Sequence, residues 1–414
     1  MSIDCSFRNF LFRVALLKVL HNECRLALAW YIWSMTKALD IPVIGILGGG
    51  QLGRMFIQNA LRYNAEIHVL DPDASAPCAQ IASRFVQGAF SDYDTVMEFG
   101  RSVDVLTIEI EHVNTDALFD LQEEGVQVFP QPEVLSMIQH KGRQKEFYQS
   151  NGIPTSAFVH VESRAELEAL DSSWFPCFQK LFTSGYDGKG VVKLESVADI
   201  DKAFDAPSVV EKCVDLEQEF AVIVSGHASG ELAVFPVVDM IFHPVANLVE
   251  FLSSPSALPE SVQQTGINLA KQIAQLTGIR GLLAVEFFLD REGKVWVNEM
   301  APRPHNSGHH TIQGNLTSQF EQHFRAICGW SPGSTEAVRH AVMLNLLGEP
   351  GYDGIARYEG LREVSAWEGV NVQLYGKRNT KPFRKMGHVT VLAGNTEKAM
   401  EYARRVQKTL KVIS

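Results

Sequence analysis

From position 41 onward the chain alternates short β-branched runs with stretches of helical spacing. Residues 42–47 (PVIGIL) read as a strand, 51–63 as a helix and 66–71 (EIHVLD) as a second strand. Runs at 103–110 and 126–129 continue the series. Such alternation predicts a parallel sheet with helices on its faces. Residues 131–152 read as a linking helix. Two further strand-like runs, 175–182 and 191–194, flank a glycine-rich loop. Beyond Cys213 the strands fall into antiparallel pairs, and no internal repeat is present. The expected class is α/β, with four parts. These are an extension (1–40), a Rossmann-like parallel-sheet domain (41–140), a small subdomain carrying the glycine loop (141–213) and a C-terminal domain (214–414) with most of the chemistry.

Length agrees with this division, since 414 residues exceed one ordinary core. The net charge of −11 argues against a nucleic-acid partner, so an anionic substrate needs a local cluster of cations. Six scattered cysteines without a CxxC pair form neither a disulfide framework nor a zinc pattern, which suits a reducing cytoplasm. Residues 10–33 are apolar but broken by Arg13, Lys18, Glu23 and Arg25. Their longest uncharged run, 26–36, is too short to cross a bilayer, and no membrane role is expected. A basic amphipathic segment of this kind can be a targeting or membrane-surface helix, but residues 1–34 read rather as a non-native upstream extension with the working start at Met35, because the periodic pattern begins cleanly at Ile41.

Two loops carry phosphate-type chemistry. Gly48-Gly49-Gly50-Gln51-Leu52-Gly53 fits GxGxxG between strand and helix, with Asp71 after the next strand. By spacing this is a dinucleotide fingerprint. Glycine amides at a helix start bind any phosphate, however, so NAD and other phosphoesters stay equally open. The second loop is Ser184-Gly185-Tyr186-Asp187-Gly188-Lys189-Gly190, with Lys180 just before it. Its glycines allow close backbone approach to phosphates, and Lys180 and Lys189 supply charge. Alone it reads as a hairpin turn; beside a second phosphate-type loop it reads as a flap. Nearby, Glu211-Lys212-Cys213-Val214 offers a strand edge to an adenine, and Glu219 a carboxylate to a ribose.

The runs 284–290 and 294–300 form a hairpin around Arg291-Glu292-Gly293. Centred on Glu292-Gly293, it sets Glu286 opposite Glu299, on a face shared with Phe288 and Val297, with Cβ atoms about 5 Å apart. Two carboxylates so close repel, and a divalent cation resolves the conflict. Oxygen-only ligands beside phosphate loops point to magnesium. Immediately after, Arg303, His305 and Asn306 project from a proline-stiffened stretch, where arginine can orient a planar oxyanion such as bicarbonate. Zinc on His305, His309 and His310 ranks lower, because no cysteine lies near. Lys377, Arg378, Lys381, Arg384 and Lys385 crowd into nine residues. Two readings stand for them: a solvated face, or a substrate phosphate site.

GGGQLGRM (48–55), GYDGKG (185–190), VNEMAPRPHNSGH (297–309) and KPFRKMGH (381–388) stand in the order and spacing of one family. From Ile41 to Ser414 the chain resembles the carboxyaminoimidazole ribonucleotide synthases, the PurK family. The resemblance implies an ATP-grasp fold behind a pre-ATP-grasp parallel-sheet domain, and a cytoplasmic homodimer. It implies ATP with magnesium (or manganese), and carboxylation of 5-aminoimidazole ribonucleotide by bicarbonate through carboxyphosphate. ATP then falls to Lys141, Lys180, the 184–190 loop, Glu211, Lys212, Cys213, Val214, Glu219, Asn298 and Glu299, and the metal to Glu286 and Glu299. The ribonucleotide falls to Gln51, Leu52, Tyr186, Asp187, His305, Asn306, Lys377, Arg384 and Lys385. Asp187, Lys189, Arg303 and Lys377 would position the carboxylation, with the Asp187 carboxylate able to accept an amine proton. The GxGxxG loop is thereby reassigned from NAD to the substrate end.

Two positions depart from the family pattern, Phe182 for arginine and Ser184 for glycine, and they bear on ATP affinity. The formate-dependent glycinamide ribonucleotide transformylases are the nearest alternative. They typically carry an acidic residue where Gln51 stands, and PRPHDTG where this chain reads PRPHNSG. An NAD-dependent oxidoreductase would account for residues 43–71 alone.

Overall fold

Five short strands, β1 (Ile44–Leu47), β2 (Ile67–Asp71), β3 (Arg84–Gln87), β4 (Val105–Ile108) and β5 (Gln127–Phe129), pair in parallel in the order β3-β2-β1-β4-β5. They come from a computed structural model that describes residues 41–183, 190–242 and 248–414. Both central strands, β1 and β4, are buried along their whole length, as expected of a sheet covered on two faces. Helices α1 (Gln51–Ala60), α2 (Tyr93–Gly100) and α3 (Thr115–Glu123) make the crossovers. Strand β3 had no clear signal in the sequence. It is an edge strand whose ends, Arg84 and Gln87, are exposed, so only Phe85-Val86 carries apolar character.

The linking segment is two helices, not one: α4 (Pro132–Gln139) and α5 (Lys141–Ser150). The chain breaks at His140, whose φ of −114° and ψ of 105° are extended. There His140 caps the start of α5, which buries Lys145 and Tyr148, whereas α4 buries Val134, Leu135 and Ile138.

Next, β6 (Phe158–Val161), β7 (Cys177–Leu181), β8 (Val191–Leu194) and β9 (Ser208–Lys212) form an antiparallel sheet in the order β6-β9-β7-β8. The glycine loop joins β7 to β8.

The largest sheet contains β10 (Leu216–Gly226), β11 (Leu232–Val234), β12 (Val238–Phe242), β13 (Val249–Ser254), β14 (Gly281–Asp290), β15 (Val295–Ala301) and β16 (His340–Leu347). It is completed by β17 (Val370–Leu374) and β18 (Lys385–Ala393), paired in the order β15-β14-β10-β12-β13-β16-β18-β17 with β11 beside β10. Register places Phe220, Phe287, Phe251, Leu344 and Val389 on one face. Helix α6 (Glu260–Thr277) covers one end of that face, packing Ala270 and Ile273 against Phe220 and Phe287. Helix α7 (Gln319–Ile327) packs beside β14, and α8 (Thr396–Thr409) covers the other end with Ala399, Ala403 and Val406. The opposite face carries smaller apolar patches, among them Ala221, Met240, Leu252 and Met343, and beside them the carboxylates Glu219, Glu286 and Glu299. Residues Val43–Ser414 form one unit, and no helix among the described residues is long and apolar enough to cross a membrane.

Candidate active site

On that opposite face, β14 pairs Glu286 with Glu299. The pairing is the expected one, but the route differs. Leu289 faces Val295, so the turn centres on Glu292, and a β-bulge at Asn298 restores the one-residue offset. A bulge turns two consecutive side chains toward the same side. Asn298 and Glu299 therefore both reach lysines in the site: Asn298 accepts from Lys180 Nζ at 3.2 Å, and Glu299 pairs with Lys141. Val297 does not share their face; it packs in the core with Phe287.

Electrostatics follow from this crowding. Burial pushes the Glu286 carboxyl well above the usual carboxylate range, with the charges of Glu299 and Glu219 adding to it. The Lys141 ammonium holds Glu299 low. Burial raises Glu219, on the same face of β10, to about 7. Among the described residues no three His, Cys, Asp or Glu side chains gather as a metal site. Two carboxylates completed by phosphate oxygens, however, are an ordinary magnesium arrangement. The donor set fits such an ion.

A buried ionic chain extends from this pair into the smaller antiparallel sheet. Lys180 lies 3.0 Å from Glu211, and Glu211 lies 2.7 Å from Lys145. Lys145 donates to Thr155 and Ser156 at 2.7 and 3.1 Å, and Thr155 donates to the Val297 carbonyl at 2.8 Å. Against burial, Lys180 and Lys145 hold Glu211 at about 2. Burial lowers Lys145 to about 8, so both partners stay charged at neutral pH. Lys145 was not singled out in the sequence; its signal is the i, i+4 spacing from Lys141, which puts both on one helix face. At the end of β9 the Lys212 and Cys213 amides donate to the Ala157 and Pro176 carbonyls, and Val214 follows as the next amide.

The first glycine loop meets a different set of groups. Asp71, the ribose carboxylate of a dinucleotide site, accepts instead from the Gly49 amide at 2.6 Å. Leu52 buries its side chain, and its amide donates to Glu109 at 3.2 Å. A Cβ on Gly50 would stand 2.4 Å from a Glu109 oxygen, so a side chain there would have to displace that carboxyl. Burial raises the Glu109 carboxyl, opposed by the nearby Arg303 charge. Arg303 itself pairs with Glu111 at 2.7 Å. Glu109 and Glu111 escaped the sequence reading, although two carboxylates at the C-terminal end of a parallel strand stand where such sheets bind ligands.

His305 sits 2.9 Å from the Ser307 hydroxyl and 3.6 Å from Glu286. The next residue, Asn306, has a buried side-chain oxygen without a hydrogen-bond partner among the described residues. His309 stacks on His388 at 4.8 Å, and burial holds both neutral. Lys377 donates to the Lys385 carbonyl at 2.9 Å, and Arg384 to the Asn379 carbonyl at 2.7 Å. Lys377, Arg378, Asn379 and Arg384 line a cavity of about 350 Å³ whose far wall includes Asp73 and Ser75. Gln51 opens α1, the helix that begins at the glycine loop. Ser184, Gly185, Tyr186, Asp187, Gly188 and Lys189 lie outside the described residues; Gly190 is described, with φ of 71°.

Gln319, on α7, pins the His305 stretch. Its side chain accepts from the His305 amide at 2.9 Å and donates to the His305 carbonyl at 2.8 Å. Gln319→Leu strands two part-buried backbone groups and is expected to cost about 1–3 kcal/mol. Urea unfolding reads this as a lower midpoint at unchanged slope; an unchanged midpoint would mean that Gln319 is not what satisfies them.

Residues 41–139 match the ribonucleotide synthetase preATP-grasp domain family, 146–320 the ATP-grasp domain family and 341–402 the phosphoribosylaminoimidazole carboxylase C-terminal domain family. The N5-carboxyaminoimidazole ribonucleotide synthase of Bacillus subtilis is 35% identical over 367 residues, covering 86% of this chain and 94% of its own. The phosphoribosylaminoimidazole carboxylase of Ogataea methanolica is 37% identical, and the match spans 86% of this chain but 67% of that longer protein. The crystal structure of the Thermotoga maritima N5-carboxyaminoimidazole ribonucleotide synthetase superposes with a TM-score of 0.83 at 37% identity, over 90% of this chain and all of that one. The Aspergillus clavatus synthase, solved with ADP and 5-aminoimidazole ribonucleotide, gives 0.81 at 30% identity, over 89% of this chain and 98% of its own.

Proposed function

The chain belongs to the N5-carboxyaminoimidazole ribonucleotide synthase family of ATP-grasp ligases, and on that premise we propose how its residues divide the reaction. Its activity is the ATP-dependent carboxylation of 5-aminoimidazole ribonucleotide in purine biosynthesis. The observation that carries the reading is the Glu286–Glu299 pair, two facing carboxylates with Lys141 on one of them and the Lys180–Glu211–Lys145 chain beside it.

Glu286 and Glu299 would hold magnesium, which when bound would offset the charge of the ATP phosphate oxygens. Lys141 and Lys180 take the remaining phosphate charge, Val214 meets the adenine edge, and Glu219 the ribose. Bicarbonate is the carboxyl donor. One of its oxygens attacks the γ-phosphorus as the bond to ADP breaks, giving carboxyphosphate. Loss of phosphate from carboxyphosphate yields carbon dioxide, which the exocyclic amine captures while giving up a proton. Arg303, held in place by Glu111, presents its guanidinium to the planar oxyanion. Lys377 and Arg384, which line the 350 Å³ cavity, bind the ribonucleotide phosphate together with Lys385, and Gln51 approaches from α1. The orphaned Asn306 oxygen and His305 face the base, and to Asp187 and Lys189 fall the roles of proton acceptor and phosphate charge. The working unit is a cytoplasmic homodimer.

ADP release tests the assignment. Turnover is expected only with ATP, magnesium, 5-aminoimidazole ribonucleotide and bicarbonate together. Turnover with formate and glycinamide ribonucleotide instead would move the protein to the transformylases.

A further inference from the structure

Phe182 is the last residue of β7's run before the glycine loop, and its ring is wedged between two imidazoles. His140 lies 4.5 Å from it at a 31° tilt, and His160 meets it edge-on at 5.1 Å. Beneath the three rings is Gly142. A Cβ there would stand 2.9 Å from Phe182 and 3.1 Å from each imidazole, so the rings occupy the space a side chain would need. The backbone is tied at the same point, where the Lys141 amide donates to the Phe182 carbonyl at 2.8 Å. His140 also caps α5, its Nδ1 accepting from the Arg143 amide at 3.2 Å. An imidazole is an unusual N-cap, since that place ordinarily belongs to Ser, Thr, Asp or Asn.

We propose that His140 and Phe182 are positioning residues for Lys141, clasping the start of α5 to the end of β7 so that the Lys141 ammonium stays on Glu299. The proposal rests on the reading of Lys141 as an ATP ligand. Lys141 is the first residue of α5, so its side chain moves with the cap. Lys145, one turn later, is tied to Glu211 on β9, so a slipped helix start shifts Lys141 against an anchored second turn. A cap of this kind works only with the neutral ring, because protonated Nδ1 is a donor facing a donor. The charged or titratable groups around His140 are Arg143 and Glu146 on α5 and His160 on β6; Phe182 supplies the wall from β7. Glu146 lies 3.5 Å from His160. Burial, with Arg143 adding to it, lowers His140 below the ordinary imidazole range, which keeps the cap in its accepting form at neutral pH. Acid then releases it.

The test compares wild type with His140→Leu, His140→Asn and Phe182→Leu. KM for ATP and for 5-aminoimidazole ribonucleotide is measured between about pH 5.5 and 8, where imidazoles titrate. His140→Leu and Phe182→Leu are expected to raise the KM for ATP about fivefold, the scale of a lost cap, and to leave the ribonucleotide KM unchanged. His140→Asn restores a cap without a titrating ring. It should match wild type at neutral pH and lack the acid rise in the ATP KM that wild type shows. Both KM values rising together, no change in either leucine variant, or an acid rise persisting in His140→Asn would each overturn the proposal. Hydrogen exchange on the unliganded chain reads the clasp separately. Faster exchange at Lys141 and Arg143 in His140→Leu, but not in His140→Asn, supports it even if wild type fails to turn over ATP, in which case the reading of the ATP site falls alone.

Discussion

Glu286→Gln is expected to lower kcat by at least about 10³-fold without destabilising the fold, the scale of losing charge stabilisation at a metal-assisted phosphoryl transfer. The two halves of that result come from one cause. Burial, with the charges of Glu299 and Glu219 adding to it, pushes the Glu286 carboxyl toward the neutral form, which glutamine copies in shape and charge. The chain without ligands therefore loses little when the carboxyl is replaced, beyond the charged form's 3.6 Å approach to His305. With ATP, the ionised carboxylate is needed as a metal ligand, and an amide is a poor substitute. Glu299→Gln should behave differently. It strands the Lys141 ammonium, whose charge Glu299 supports against burial, so stability and activity fall together. Urea unfolding and ADP release on both variants check the contrast. A Glu286→Gln enzyme within tenfold of wild type would remove Glu286 from the metal site.

Lys145→Met carries the second large effect, this time on stability. Lys145 and Glu211 are each 3% exposed, and their 2.7 Å contact lies in the middle of the ionic chain. Breaking a buried pair by removing one partner costs about 3–5 kcal/mol, because the remaining charge has lost its compensation. Lys180 stays beside Glu211 and limits the loss to that range. The unfolding midpoint should drop accordingly; a change under about 1 kcal/mol would mean that Lys180 alone satisfies Glu211. The pH dependence has a definite sign. Glu211 is held at about 2, below its unfolded value, so its contribution is present at neutral pH and fades as acid approaches that pKa.

The ATP-grasp fold behind a parallel-sheet domain was legible from residue patterns and motif order, and so was the pairing of Glu286 with Glu299. Alternating β-branched runs and helical spacing are properties of neighbouring residues, and a hairpin's register depends on a few positions around its turn. Even there the bulge at Asn298 was hidden, because one extra residue on one strand changes no composition. It decided which side chains share the ligand face, bringing Asn298 in and turning Val297 away. Strand β3 was invisible for a related reason, since an exposed edge has little apolar pattern to show. The helix break at His140 and the roles of Lys145, Glu109, Glu111 and Gln319 needed the tertiary structure. Each acts through a partner on another element: Lys145 with Glu211, Glu111 with Arg303, Gln319 with His305. Lys141 and Glu299, 158 positions apart, meet only once α5 lies across the bulged strand. Local sequence determines which elements form, because backbone period and turn geometry are short-range. Which charges compensate one another depends on which faces are buried together, and that is decided only when the sheets and helices pack.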